Sequence, residues 1–198
     1  MHELKSTAER VIHRAIKSGA TAADVMIRED DTFSVNVRMG EIETLKEAIS
    51  RALLLRVFVG KRTATSHTSD LSEDLIERLV DETIQMARLT SEDKSGGLPD
   101  QSVFRSDFPD LNLLDPEWET LTPEQRIGLA VRAEAAALSA DKAIVNSEGA
   151  SFEYARSRLA LANTLGFLGA YEGTGSSLPS PKRACSAITG CPPPGITG

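Results

Sequence analysis

The apolar residues of this chain change period at Gly19, and that switch limits the fold more than any other feature. Before it, Leu4, Ala8, Val11, Ile12, Ala15 and Ile16 share one helical stripe. They predict an amphipathic helix over residues 4–18, with Gly19 at its C-terminal end. After it, Val25 and Ile27 alternate with Asp24, Met26 and Arg28, and Phe33, Val35, Val37 and Met39 alternate with Ser34, Asn36 and Arg38. Period two predicts half-buried strands, here separated by a solvated turn at Glu29, Asp30 and Asp31. Gly40 marks the next turn, strands follow at 42–45 and 52–59, and Gly60 and Lys61 turn the chain into a strand over 62–67. Connections this short join antiparallel neighbours, because a parallel pair needs a long crossover.

A second helix is predicted after Asp70 or Ser72, either of which can cap it, with Leu75, Ile76, Leu79, Val80, Ile84 and Ala87 as its stripe. Residues 1–89 therefore read as an N-terminal α+β domain, two helices on an antiparallel sheet. Residues 90–121, punctuated by Gly96, Gly97, Pro99, Pro109 and Pro116, read as a linker, since so long a stretch without elements is uncommon inside one domain. Trp118 is expected to dock that linker on a neighbour by packing. Thr122, Pro123 and Gln125 spell a helix start with a capping box, and Ile127, Ala130, Val131, Ala133, Ala137 and Leu138 mark its buried side. Strands are expected at 143–148, 151–157 and 159–172, with Gly166 and Gly169 as bulges or close approaches. The fold class is α+β: an antiparallel sheet with packed helices, then a helix and antiparallel strands of an incomplete second domain over 122–178.

Motifs for chemistry are absent from the residues. Twenty-two Lys and Arg stand against 29 Asp and Glu, a net charge of −7 with no basic cluster, so there is no footprint for nucleic acid. No apolar run reaches the roughly 18–20 residues of a membrane span. The start, Met1-His2-Glu3-Leu4-Lys5, lacks a signal core, which points to the cytoplasm. His2, His13 and His67 form no paired-histidine zinc motif, and no nucleophile elbow or Walker loop occurs. Gly173-Thr174-Gly175-Ser176 lacks the lysine and helix of a phosphate loop and reads as a turn. Ser66, His67 and Asp70 read as a strand end running into a helix cap, because a triad is assembled from separate elements. The acidic run 70–74 suits a helix N-terminus. Cys185 and Cys191 have no partner ligands nearby. Sequence chemistry thus names no catalytic residue, no substrate-binding residue, and no metal or cofactor site in this chain.

Five short segments carry a resemblance. Gly40-Glu41-Ile42-Glu43-Thr44-Leu45 leads to Arg56-Val57-Phe58-Val59-Gly60-Lys61-Arg62, which continues through Thr65-Ser66-His67-Thr68-Ser69-Asp70-Leu71. Later come Asn146-Ser147-Glu148-Gly149 and Ala162-Asn163-Thr164-Leu165-Gly166-Phe167. In this order the segments resemble the TldD/PmbA family, the modulators of DNA gyrase, with the PmbA (TldE) branch nearer, over residues 1–178. The resemblance implies a cytoplasmic proteolytic heterodimer. In it, a TldD-type subunit carries the divalent metal, zinc, on a His-Glu-x-x-x-His helix, and a PmbA-type subunit is the non-metal partner. Peptides are the implied substrates, with no direct binding of nucleic acid or membrane.

Family members are more than twice this length, and residues 179–198 depart from their pattern. Joining the third base of each codon to the first two of the next lets residues 179–190 encode Val-Thr-Glu-Ala-Gly-Met-Gln-Arg-Asp-Tyr-Trp, whose end resembles the family's own motif. The expectation is a frameshifted, disordered tail on a truncated PmbA-type subunit. A non-enzymatic interaction module and a gene remnant without function are the alternatives.

Overall fold

The computed structural model describes residues 1–105 and 109–178, and the backbone of 184–186. The Trp118 side chain, Cys191 and most of the tail expected to be disordered lie outside the described residues. The chain divides into two compact units, each drawn from three stretches: residues 1–30, 49–114 and 157–173, and residues 31–48, 115–156 and 174–198.

In chain order the elements are α1 (His2–Lys17), β1 (Ala22–Arg38), β2 (Glu41–Val59), β3 (Arg62–Thr68), α2 (Glu73–Leu89), α3 (Pro116–Thr120), α4 (Pro123–Ser139), β4 (Ile144–Ser147), β5 (Ala150–Asn163), β6 (Leu168–Ser177) and β7 (Ala184–Ser186). The architecture is α+β. One antiparallel sheet has the order β3-β2-β1-β5-β6, so strands from both sides of the 90–121 stretch share it. β4 pairs with β7, Ile144 opposite Ser186 and Ser147 opposite Ala184. The backbone of 184–186 thereby finds its partners on β4.

In the first unit the predicted stripes become the core. Ala8, Val11 and Ala15 of α1 and Val80, Ile84 and Ala87 of α2 are buried with Val25, Ile27, Leu53, Leu55 and Val57 of the sheet. Each such Val, Leu or Ile contributes about 1.5–3 kcal/mol on burial. Ile16 of the α1 stripe and Leu75 of the α2 stripe depart from this, 46% and 37% exposed. Asp81 of α2 ties down the end of α1, accepting from Ser18 Oγ at 2.7 Å and Arg14 Nη2 at 2.9 Å. Among the described residues after α2, Phe104 packs on this unit, its ring 5.2 Å from that of Phe167.

The strands correct the sequence reading in three places. No turn interrupts β1 at Glu29, Asp30 and Asp31, and the strand runs 17 residues. The expected strands at 42–45 and 52–59 are one 19-residue β2. The break between 157 and 159 is absent, and the turn instead falls at 164–167. There Gly166 has φ +87°, and Asn163 Oδ1 accepts from the amides of Leu165 (2.9 Å) and Phe167 (3.1 Å). Gly166 is therefore a turn glycine, and Gly169 lies inside β6.

The second unit packs Phe33, Val35 and Val37 of β1 and Phe152 and Tyr154 of β5 around Ala130 of α4. The capping box forms: the Gln125 amide donates to Thr122 Oγ1 at 3.3 Å, and the Thr122 amide donates to Gln125 Oε1 at 2.8 Å.

Candidate functional site

Ser66, His67 and Asp70, neighbours in sequence, do not form a catalytic cluster. Asp70 accepts the Ser72 amide at 2.8 Å, and this bond holds its carboxyl below the ordinary range. Its own amide donates to Thr68 Oγ1 at 3.1 Å, while Ser66 Oγ turns to Met86 Sδ at 3.9 Å and His67 is exposed. No Ser–His–Asp relay joins them. Gly173 to Ser176 lie within β6 rather than in a turn. A Cβ on Gly173 would stand 3.1 Å from Leu113 Cβ, which explains the glycine by close approach. Among the described residues, no group of three or more His, Cys, Asp or Glu side chains could hold a metal ion.

Glu29 and Asp30, expected in a solvated turn, instead anchor a polar ladder across the sheet. Glu29 is 12% exposed at its side chain and accepts from Arg51 Nε and Arg158 Nη1, each at 2.6 Å. Asp30 accepts from Arg28 Nε at 2.7 Å and from Ser157 Oγ at 2.5 Å. A charge is tolerated in a strand when partners on neighbouring strands satisfy it. Glu29, Arg51 and Arg158 line a cleft of about 450 Å³ together with Thr7, Arg10 and Asp70. Acids offset the arginines there, so the cleft presents no strong field to a charged ligand.

The second unit holds a residue that the sequence reading missed. Glu134, on the inner side of α4, is only 1% exposed. Its carboxylate accepts the amides of Met39 at 2.8 Å and Gly40 at 2.9 Å, and the Ser147 hydroxyl. Met39 and Gly40 form the β1–β2 turn with φ of 51° and 79°, the two positive values of a type I′ hairpin. Burial pushes the Glu134 carboxyl up. The hydrogen bonds from Ser147, Gly40 and Met39 and the field of Arg38 outweigh it and hold the group below the ordinary range. Ser147 Oγ also accepts the Gly149 amide at 3.2 Å, and Arg38 Nε donates to the Ser147 carbonyl at 3.3 Å. A signal for Glu134 existed: it lies four residues after Ala130 on the helical stripe, where a charge must be buried or break the pattern.

Beyond this turn lies an open strand edge. β3 pairs with β2 only from Leu53 opposite Thr68 to Val59 opposite Arg62. Among the described residues, the 41–48 part of β2 in this unit therefore has β1 on one side and no strand on the other. Every residue of it is exposed, including Ile42 (49%) and Leu45 (51%). Asn36 Nδ2 donates to Glu43 at 2.6 Å, and Thr32 Oγ1 to the Ala48 carbonyl at 3.1 Å. An exposed edge offers unpaired backbone groups to an incoming extended chain.

The model of the PmbA/TldA metallopeptidase domain 1 matches residues 23–87, and that of the PmbA/TldA metallopeptidase central domain matches 116–178. The chain belongs to the PmbA/TldD family. It is 34% identical over 188 residues to the Metalloprotease PmbA homolog of Haemophilus influenzae, covering 95% of this chain and 40% of that protein. With Metalloprotease PmbA of Escherichia coli O157:H7 it shares 37% over 158 residues, 80% of this chain and 35% of the relative. A solved structure from Bacteroides thetaiotaomicron, a proposed modulator of DNA gyrase, superposes with a TM-score of 0.82 at 26% identity, covering 90% of this chain and 40% of that one. TldE from Thermococcus kodakarensis shares the fold, with a TM-score of 0.73 at 16% identity over 86% of this chain and 37% of that one. The chain thus spans 40% or less of the length of these PmbA/TldD-family relatives. The metal implied by the name metalloprotease finds no donor set among the described residues. No described helix is long and apolar enough to cross a membrane.

Proposed function

We propose that this chain is the N-terminal part of a PmbA/TldE-type subunit, the non-metal member of a TldD/TldE-like metallopeptidase complex that degrades or trims peptides. The metal, zinc in this reading, belongs to a TldD-type partner. This chain supplies binding surface, works in the cytoplasm, and contacts neither nucleic acid nor membrane directly. The relatives named as metalloproteases support the reading and do not favour a self-standing interaction module.

The observation that carries its role is the open, ordered edge at 41–48, which can receive an extended peptide as an added strand through backbone bonds with little sequence demand. Fluorescence anisotropy of a labelled casein fragment with the full chain tests it. Ile42→Glu with Leu45→Glu removes the apolar grip at exposed positions and is expected to weaken capture about tenfold. Unchanged capture overturns the edge reading.

Residues 1–89 and 122–178 are in this proposal two family domains joined by 90–121, and the tail from about 179 is a frameshift product. The central-domain match, which reaches residue 178, supports that division. Resequencing from the codon of Gly173 is expected to restore the Met-Gln-Arg-Asp-Tyr-Trp frame. A confirmed present frame ends the frameshift idea.

A further inference from the structure

We propose that Glu134 is a positioning residue. Its buried carboxylate fixes the tip of the β1–β2 hairpin, so that the 41–48 edge is already ordered when an extended chain arrives. The inference rests on the docking reading of that edge. The strand itself has little else to hold it, because its residues are exposed and only β1 pairs with it among the described residues. Its turn needs positive φ at Met39, a residue with no intrinsic preference for that region. Glu134 supplies what the sequence of the turn lacks. Both turn amides end on its two oxygens, which is how consecutive N–H groups embrace an anion. Ser147 and Arg38 close the network from the β4–β5 and β1 sides. A template strand that is ordered beforehand binds more tightly, since less freedom is lost on association.

Glu134→Gln keeps the size and removes the charge. With the full chain, hydrogen exchange of the 39–48 amides is expected to accelerate about tenfold while the core amides of α1 and α2 keep their protection. Casein-fragment capture should weaken by about the same factor. Met39→Asn, at a position 53% exposed, creates an Asn-Gly turn that favours the I′ geometry without help. Adding it to Glu134→Gln is expected to restore both slow exchange and capture, a rescue that a general packing role would not allow. Unchanged exchange in Glu134→Gln overturns the inference. So does capture that stays weak after Met39→Asn has restored slow exchange. If the wild-type chain captures nothing, or Ile42→Glu with Leu45→Glu has no effect, the docking reading itself falls. If those edge substitutions abolish capture while Glu134→Gln leaves it intact, only the positioning role falls. Ser147→Ala, which spares the carboxylate and removes one donor, gives an intermediate effect and covers the case in which Glu134→Gln does not fold.

Discussion

Glu134 and Gly149 show how single residues set the second unit. A Cβ on Gly149 would lie 2.6 Å from the Val37 carbonyl oxygen, and the residue has φ +97°. Gly149→Ala is therefore expected to cost about 2 kcal/mol from strain and collision together, read as a lower urea midpoint at constant slope. Glu134 adds a pH dependence of definite sign. Its folded pKa is depressed, so its contribution is complete above the unfolded value of about 4.3 and is lost as pH falls through the folded value. The stability gap between wild type and Glu134→Gln should accordingly narrow on acidification below about pH 4, and a gap that stays constant well below that range argues against a charged Glu134. The partners of neither residue were legible in the sequence, although the place of Glu134 on the α4 stripe marks it as unusual. Gly149 reads as an ordinary separator between strands. Glu134 stands among alanines, and nothing local reveals that two backbone amides nearly a hundred residues earlier receive it; the separations are 95 and 94.

At the level of elements, legibility follows the range of the interactions. α1, α2 and α4 were readable because stripe and cap are spelled within a few turns of chain. The α4 start is the clearest instance, and Thr122→Ala is expected to cost about 1 kcal/mol. In a chain of this size that lowers Tm by about 2–4 °C in calorimetry. The course of β1 through Glu29 and Asp30 was not readable. Three acids in a row signal a turn locally, and the arginines that make a strand possible lie 22 and 129 residues away. The merged β2 follows the same logic. Residues 46–51, between the two expected strands, are too polar to read as a strand, and the Thr32 side chain of β1 braces them at the Ala48 carbonyl.

For the whole molecule, the decisive fact is that the sheet recruits β5 and β6 from beyond the 90–121 stretch. Ala160 and Ala162 of β5 belong to the core that α1 and α2 cover. A fragment ending at residue 89 keeps both helices and three strands, yet leaves β1 as an open apolar edge. That fragment is expected to unfold without a cooperative transition and to bind a hydrophobic dye, whereas residues 1–178 unfold cooperatively. A sharp thermal transition in the short fragment would show that β5 is dispensable. The same strand order governs events on the ribosome. β1 meets β2 as soon as the hairpin emerges, but its other neighbour comes much later. The Ala23 amide waits for Thr164, 141 residues downstream. At roughly 5–20 residues per second, translation leaves that flank uncovered for about seven to thirty seconds. Each nascent copy therefore exposes a sticky strand for that interval, and its yield in the cell depends on synthesis speed and chaperone supply as much as on the stability of the finished sheet.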